Sequence, residues 1–422
     1  MKKQIDHIRL PQYNLLGSKH ICRSARATVL SHMQNIREGE LVLKDQWSQV
    51  TLGKQVEDFP LKACITVIDN RFYLAILLRG SIGAGEAFMA GWWQADDLVK
   101  VIRILVRNLP ALDSMDSGFS RVSEPMFQAF HRLRKNTLKG GERNIYAHYD
   151  LSNDFYELFL DSTMTYSCAV FENESESLEK AQINKYERIC NKLGIRPDHH
   201  LLEIGTGWGG FAVYAARTIG CKVTTTTISR QQFEYAFKKI RENGVEDRVT
   251  MLFEDYRELK GRYDRIVSIE MIEAVGHHYL NRFFKACGDL LKENGLLCLQ
   301  AITIPDQVYS KHIRSVDFIK RYIFPGSFIP SVTAMCQAAT AASDLRLVYL
   351  KDITAHYAKT LALWRKNFLA NRQRVLEMGF SDEFVRMWEF YLCYCQGSFA
   401  QRYNGDAQMV FSKAKAQEPI LP

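Results

Sequence analysis

The sequence predicts an α/β protein built on a doubly wound parallel sheet, with a smaller domain in front of it. Three observations carry that prediction. After about residue 143, strand-length apolar runs alternate with helix-length amphipathic runs. One of those strands passes directly into a glycine-rich turn that opens a helix, EIGTGWGG at 203–210. The 422 residues exceed one average domain, and a basic stretch marked by Gly140 and Gly141 separates two differently patterned parts. The division expected is 1–125 for the small domain and the start of a linker, and 126–422 for the larger one.

Taken in order, residues 1 to about 40 are polar and poorly periodic. LVLKDQW, KACITVID and RFYLAILLRG alternate enough to predict short strands. GSIGAGEAFMAGWW (80–93) is dotted with glycine and ends in a tryptophan pair. ADDLVKVIRILVRNL (95–109) has the helical apolar spacing, with Pro110 predicted to end it. A linker-like stretch follows, carrying Arg132, Arg134, Lys135, Lys139 and Arg143. Then come a strand at 200–204, a helix at 209–219, a strand at 222–228 and a helix at 230–243. Strands at 249–255 and 264–270, a helix at 278–292 and a strand at 295–304 complete the alternation. Residues 305–400 read as mostly helical and aromatic, suited to a lid or the wall of an apolar pocket, or to ordinary helix packing. No internal repeat is visible.

Composition narrows the function classes. Hydrophobic residues are 47% and charged residues 24%, which excludes a disordered scaffold. A net charge of +8 is diffuse, and the basic residues form no aromatic-interleaved stripe, so no nucleic-acid partner is expected. The charge suits weak attraction to phosphates, lipid headgroups included. No apolar run reaches 18 residues, and the N-terminal lysines have no apolar segment behind them. The ten cysteines form no CxxC pair and no Cys/His cluster, so no metal site is expected. They read as reduced packing residues of a cytoplasmic protein.

The glycine loop discriminates between cofactors. A dinucleotide site calls for GxGxxG and an acid closing the second strand. Here the spacing is Gly205-x-Gly207-x-Gly209, with Glu203 two residues ahead, and the second strand closes on Thr226, Thr227 and Ile228. That form favours S-adenosylmethionine (SAM). The strand at 264–270 runs on into Met271-Ile272-Glu273-Ala274-Val275-Gly276. Parallel strands open into the ligand crevice at their carboxyl ends, which places Glu273 to face a transferred group.

HYDLSNDFY (148–156), TYSCA (165–169), EIGTGWGG, TISRQQ, DRIVSIEMIEAVG and RYIFPGSFIPS, in that order, resemble the cyclopropane-fatty-acyl-phospholipid synthase family, with the mycolic acid cyclopropane synthases as relatives. GSIGAGEAFMAGWWQAD more loosely resembles the small N-terminal domain of the phospholipid-acting members. The resemblance implies a Rossmann-like class I SAM-dependent methyltransferase domain. It also implies transfer of a methylene carbon from SAM to a cis double bond of an acyl chain, at the surface of a phospholipid bilayer. Peripheral association with the inner face of the membrane follows, and a homodimer, because family members often are. The base implied is a bound bicarbonate. Its holders map onto Cys168, Glu273, Tyr357, the backbone of Ile302 and, where the family commonly has a histidine, Gln300, with Cys395 nearby. Cofactor contacts map onto Tyr149, Tyr166, Ser167, Gly205, Gly207 and Gln232, with Thr227 and Ile228 along the ribose and Asp255 and Tyr256 near the adenine. Candidate membrane-facing groups are 132–143 and Lys311, Arg314, Lys320 and Arg321 with Tyr322, Ile323 and Phe324.

Three positions depart from the family pattern. The usual LHTI reads LQAI, the usual EHVG reads EAVG with Ala274, and the usual GCGWGG carries Thr206. Gln300 offers an amide but no titratable proton, so a bicarbonate would be held less strongly or the base would differ. Gln300 also fits the plant-type branch of the family. A weakened base admits a methyl- or methylene-branched product instead of a ring. A methyltransferase for a soluble small molecule and a catalytically silent lipid- or SAM-binding protein are the competing readings.

Overall fold

The structure, a computed structural model, describes residues 19–110, 112 and 151–416. These fall into two compact units. The first takes the described residues up to 112 together with Ser315–Ile323 and Trp364–Tyr403, and the second takes the rest. Both later segments of the first unit lie inside the range that the sequence assigns to the larger domain.

In the first unit, β1 (Gly39–Lys44) pairs antiparallel with β2 (Gln49–Lys54) and parallel with β3 (Lys62–Val67), and β3 pairs antiparallel with β4 (Trp93–Ala95). The helices α1 (Lys19–Met33), α2 (Arg71–Met89) and α3 (Leu98–Arg107) accompany this sheet, and the later helices Arg372–Glu377 and Asp382–Ala400 belong to the same unit. RFYLAILLRG, expected as a strand, is the first half of α2. A short apolar run has no period that distinguishes the two states. The glycine-dotted run continues the same helix, with Gly80 at φ 54 and ψ −131 breaking its regularity. Helix α3 starts on Asp97, whose side chain accepts from the Lys100 N–H, and it ends before Pro110. There Asn108 holds the chain, its Nδ2 donating to the carbonyls of Glu38 and Ile104 at 2.8 Å each.

Helix α2 is long and apolar enough to cross a membrane, with a mean hydropathy of 1.2, but 61% of that stretch is buried. It also carries the Arg79–Glu86 ion pair, 11% and 1% exposed, to which Tyr322 adds a hydrogen bond on Glu86. Gly85 leaves room for the Phe318 ring, which a Cβ there would approach to 2.4 Å. Lys320 is 3% exposed and donates to the Ser315 carbonyl at 2.9 Å. Lys320 and Ile323 are buried, and this removes both from the expected membrane-facing set. The basic stretch 132–143 lies outside the described residues.

The second unit is built on a seven-stranded sheet in the order β10-β11-β9-β8-β5-β6-β7. The strands are β5 (His200–Ile204), β6 (Lys222–Thr226), β7 (Val249–Leu252), β8 (Tyr263–Ile269), β9 (Leu291–Thr303), β10 (Arg346–Asp352) and β11 (Gly405–Ser412). From β7 to β9 all neighbours are parallel, and β11 inserts antiparallel between β9 and β10. The sheet is buried on both faces, so its central strands read as continuous apolar runs such as LLCL. Strand order reverses between β5 and β8, which is where an open α/β sheet presents its ligand crevice.

Candidate active site

The turn after β5 forms that crevice. Gly205, Gly207 and Gly209 have φ of 99, 54 and 83, a region in which side-chain-bearing residues are strained. The Gly205 and Thr206 N–H groups donate to the Thr226 carbonyl, tying the loop to β6. A Cβ on Gly207 would meet nothing within 4 Å, so its α-carbon faces open space. Glu203 lies beneath, buried, accepting from Thr225 at 2.6 Å, and Thr225 is within 2.5 Å of the Thr206 hydroxyl. Burial pushes the Glu203 carboxyl up to about 8. Thr206 is therefore a bonded part of the loop.

The cleft encloses about 1200 Å³, open solvent included. All ten described residues expected at the cofactor line it: Tyr166, Ser167, Glu203, Gly205, Gly207, Thr227, Ile228, Gln232, Asp255 and Tyr256. Tyr149 lies outside the described residues. Second-row bonds set their positions. The Thr227 hydroxyl donates to Gln232 Oε1 at 3.1 Å, and Lys185 Nζ donates to Ser167 Oγ at 2.6 Å. Arg257 grips Asp255 through Nε at 2.7 Å and a second guanidinium nitrogen at 2.6 Å. Trp208 Nε1 donates to Asn153 Oδ1 at 2.8 Å, which gives part of the HYDLSNDFY motif a place beside the loop. A polar-edged cleft with an open glycine floor and a buried acid below it fits SAM.

Next to this cleft, at the carboxyl ends of β8 and β9, lies a second arrangement centred on Glu270. Its Oε1 accepts from the Cys168 N–H at 2.8 Å and from Gln300 Nε2 at 2.8 Å. Its Oε2 accepts from the Tyr357 hydroxyl at 2.6 Å. Gln300 is itself oriented by Gln408 Nε2, 3.1 Å from its Oε1. Asp406, on β11, is 1% exposed, and neither of its side-chain oxygens has a hydrogen-bond partner. Burial first, then the charge of Glu270, raises the Asp406 carboxyl well above its usual value. Lys185 is enclosed behind them, its ammonium pushed down to about 8 by burial.

The sequence-expected catalytic residues divide across this geometry. Cys168, Gln300 and Tyr357 meet on Glu270. Glu273 stands apart, its Oε1 accepting from the Ile302 N–H at 2.6 Å and its Oε2 buried without a donor. Burial, then the neighbouring Glu270 charge, pushes Glu273 up to about 8. Cys168 contributes its backbone, because burial holds its thiol well above the ordinary cysteine range. Cys395 sits in the first unit on the helix Asp382–Ala400, its thiol raised by burial and by Asp317. Sequence reasoning missed Glu270, Asp406 and Lys185. Glu270 carried a usable signal, since it closes the same strand that pointed to Glu273.

A doubly wound sheet with this loop and this cleft is the architecture of a SAM-dependent methyltransferase. Comparison with known proteins makes the class specific. A family model described as mycolic acid cyclopropane synthetase matches residues 136–409, and the chain belongs to that family. It is 37% identical over 332 residues to the tuberculostearic acid methyltransferase of Mycobacterium tuberculosis, covering 77% of each chain. It is 34% identical over 356 residues to the cyclopropane-fatty-acyl-phospholipid synthase of Escherichia coli, covering 83% of this chain and 88% of that one. The crystal structure of a mycolic acid cyclopropane synthase complexed with SAH and CTAB aligns with a TM-score of 0.61 at 31% identity. It covers 64% of this chain and 98% of the other. The chain is thus an enzyme of the cyclopropane synthase type with SAM as its cofactor.

Proposed function

We propose that the enzyme transfers one carbon from SAM to the cis double bond of an unsaturated acyl chain in a membrane phospholipid, forming a cyclopropane fatty acid. The observation that carries this reading is the buried carboxylate cluster around Glu270 beside the cofactor cleft. When bound, SAM supplies an electrophilic methyl group. The alkene is a neutral nucleophile, so the protein has no hydroxyl or thiol to activate, and the fully buried, protonated Cys168 is consistent with that. What it must supply is water exclusion, negative or electron-rich groups around a developing cation, and a proton acceptor. Tyr166 supports the second need, its ring 5.5 Å from Tyr156 and 6.3 Å from Phe324.

One surface cluster favours a bilayer substrate. Phe237 and Phe253 are 49% and 42% exposed on either side of Phe233, with the Arg230 guanidinium 5.8 Å from the Phe253 ring. Arg230 opens the helix Arg230–Glu242, which also carries the cleft residue Gln232. An exposed aromatic cluster with a cation beside it suits the headgroup level of a membrane, at its inner, cytoplasmic face. The second reading, a methyl- or methylene-branched chain, is favoured by the likeness to a tuberculostearic acid methyltransferase. Vesicles of cis-unsaturated phospholipid incubated with SAM and the purified enzyme test both. A mass gain of one CH2 per modified double bond supports the reaction, NMR separates ring from methylene branch, and a saturated methyl branch, a gain of CH4, requires a hydride donor added to the assay. No gain on any cis-unsaturated lipid refutes it.

A further inference from the structure

The groups expected to hold a bicarbonate already hold a carboxylate of the chain itself. The Cys168 N–H, Gln300 Nε2 and Tyr357 hydroxyl reach the two Glu270 oxygens at 2.6–2.8 Å, and the Ile302 N–H is taken by Glu273. An anion bound there would have to take all three donors from Glu270 and then stand beside a second negative charge, which is costly. Bicarbonate therefore does not fit this site.

We propose that Glu270 is the proton acceptor of the reaction, so that the enzyme works without bicarbonate; this rests on the reaction proposed above. Glu270 lines the cofactor cleft with its neighbours Ile269 and Met271, and its carboxylate is bonded by the N–H of Cys168, the residue after the cleft residue Ser167. Its backbone is at φ 47, a region that non-glycine residues seldom occupy. That conformation turns the residue after β8 back toward Gln300, whose carbonyl accepts from the Glu270 N–H at 2.8 Å. Asp406, buried on β11, has its carboxyl raised well above its usual value by burial and by the Glu270 charge.

The electrons balance without an outside oxidant or reductant. The alkene π pair forms the new C–C bond as the bond from sulfur to the methyl breaks, and positive charge is left on the other alkene carbon. A C–H bond of the added methyl then breaks. Its electron pair closes the ring, and its proton passes to Glu270. A proton next to a carbocation is strongly acidic, so a carboxylate with several hydrogen bonds is still an adequate acceptor.

The test compares the unmodified enzyme on cis-unsaturated vesicles in buffer stripped of carbon dioxide with the same buffer plus bicarbonate. Equal rates are expected, and activity only with bicarbonate overturns the proposal. Glu270→Gln is expected to lower kcat by about 100-fold or more, with SAM affinity by calorimetry unchanged. Retained activity, or activity lost together with SAM binding, overturns it. Glu270→Gly suits the positive φ and keeps the test open if the glutamine variant does not fold. It is expected to be inactive in stripped buffer and to regain activity with bicarbonate, and full activity in stripped buffer overturns the proposal. If the unmodified enzyme adds no carbon in either buffer, the reaction itself fails and takes the proposal with it.

Discussion

Two alanine substitutions in the glycine loop separate cofactor binding from folding. At Gly209, φ is 83, and an added Cβ would stand 3.0 Å from the Ala236 Cβ and 3.3 Å from its Cα. The left-handed backbone costs about 1–2 kcal/mol for a residue with a Cβ. Forcing a methyl into packed surroundings adds about 1–3 kcal/mol. In a domain of this size that lowers Tm by roughly 5–15 °C. Gly207 is at φ 54 with nothing within 4 Å, so only the backbone cost applies, a fall of a few degrees. Its new methyl would occupy the open floor of the cleft, however, and a loss of about 1.4 kcal/mol or more in binding is tenfold in affinity. Thermal unfolding with and without SAM, together with calorimetry, reads both effects. Gly209→Ala should be much less stable and bind SAM normally in its folded fraction. Gly207→Ala should be nearly as stable and bind SAM at least about tenfold more weakly. A Gly207→Ala protein that binds SAM like the unmodified enzyme would refute the placement of the cofactor over this loop.

Other substitutions read the carboxylate cluster. Cys168→Ser should keep kcat within about tenfold, because the backbone N–H rather than the thiol bonds Glu270; thiol alkylation at neutral pH should likewise leave Cys168 untouched. Tyr357→Phe removes one hydrogen bond to a charged group, worth about 1.5–3 kcal/mol, and should lower kcat about 10–100-fold without changing SAM affinity. Glu273 is neutral in the folded protein up to about pH 8 and ionises near 4.5 when unfolded. Folding thus takes up a proton between those values, and the stability Glu273 contributes declines as pH rises through that window, by at most about 1.4 kcal/mol per pH unit. Glu273→Gln should flatten that decline in chemical unfolding and leave kcat within about tenfold, because the amide copies the neutral acid.

The parts of this enzyme legible in the sequence are those governed by local pattern. The parallel strands announce themselves as apolar runs, and the glycine loop combines a strand, a positive-φ turn and a helix start within a few residues. RFYLAILLRG was not legible, because the apolar run Phe72–Leu78 fits a buried helix as well as a strand. Choosing between Glu270 and Glu273, three positions apart, depends on a positive φ at 270 and on β8 lying next to β9. Neither is a local signal. Asp406 arrives from a strand more than 100 residues downstream of Gln300, inserted antiparallel into the sheet. Lys185 and Lys320 look like surface residues of their segments, and only tertiary packing buries them.

The central claim is that this chain places a SAM-derived carbon on an acyl double bond and removes a proton from it. Methyl-deuterated SAM, cis-monounsaturated phospholipid vesicles and mass spectrometry of the recovered acyl chains test both halves together. The account predicts one added carbon at the former double bond with one of its deuteriums lost. Acyl chains that carry no deuterium, or that keep every deuterium of the transferred methyl, would contradict it.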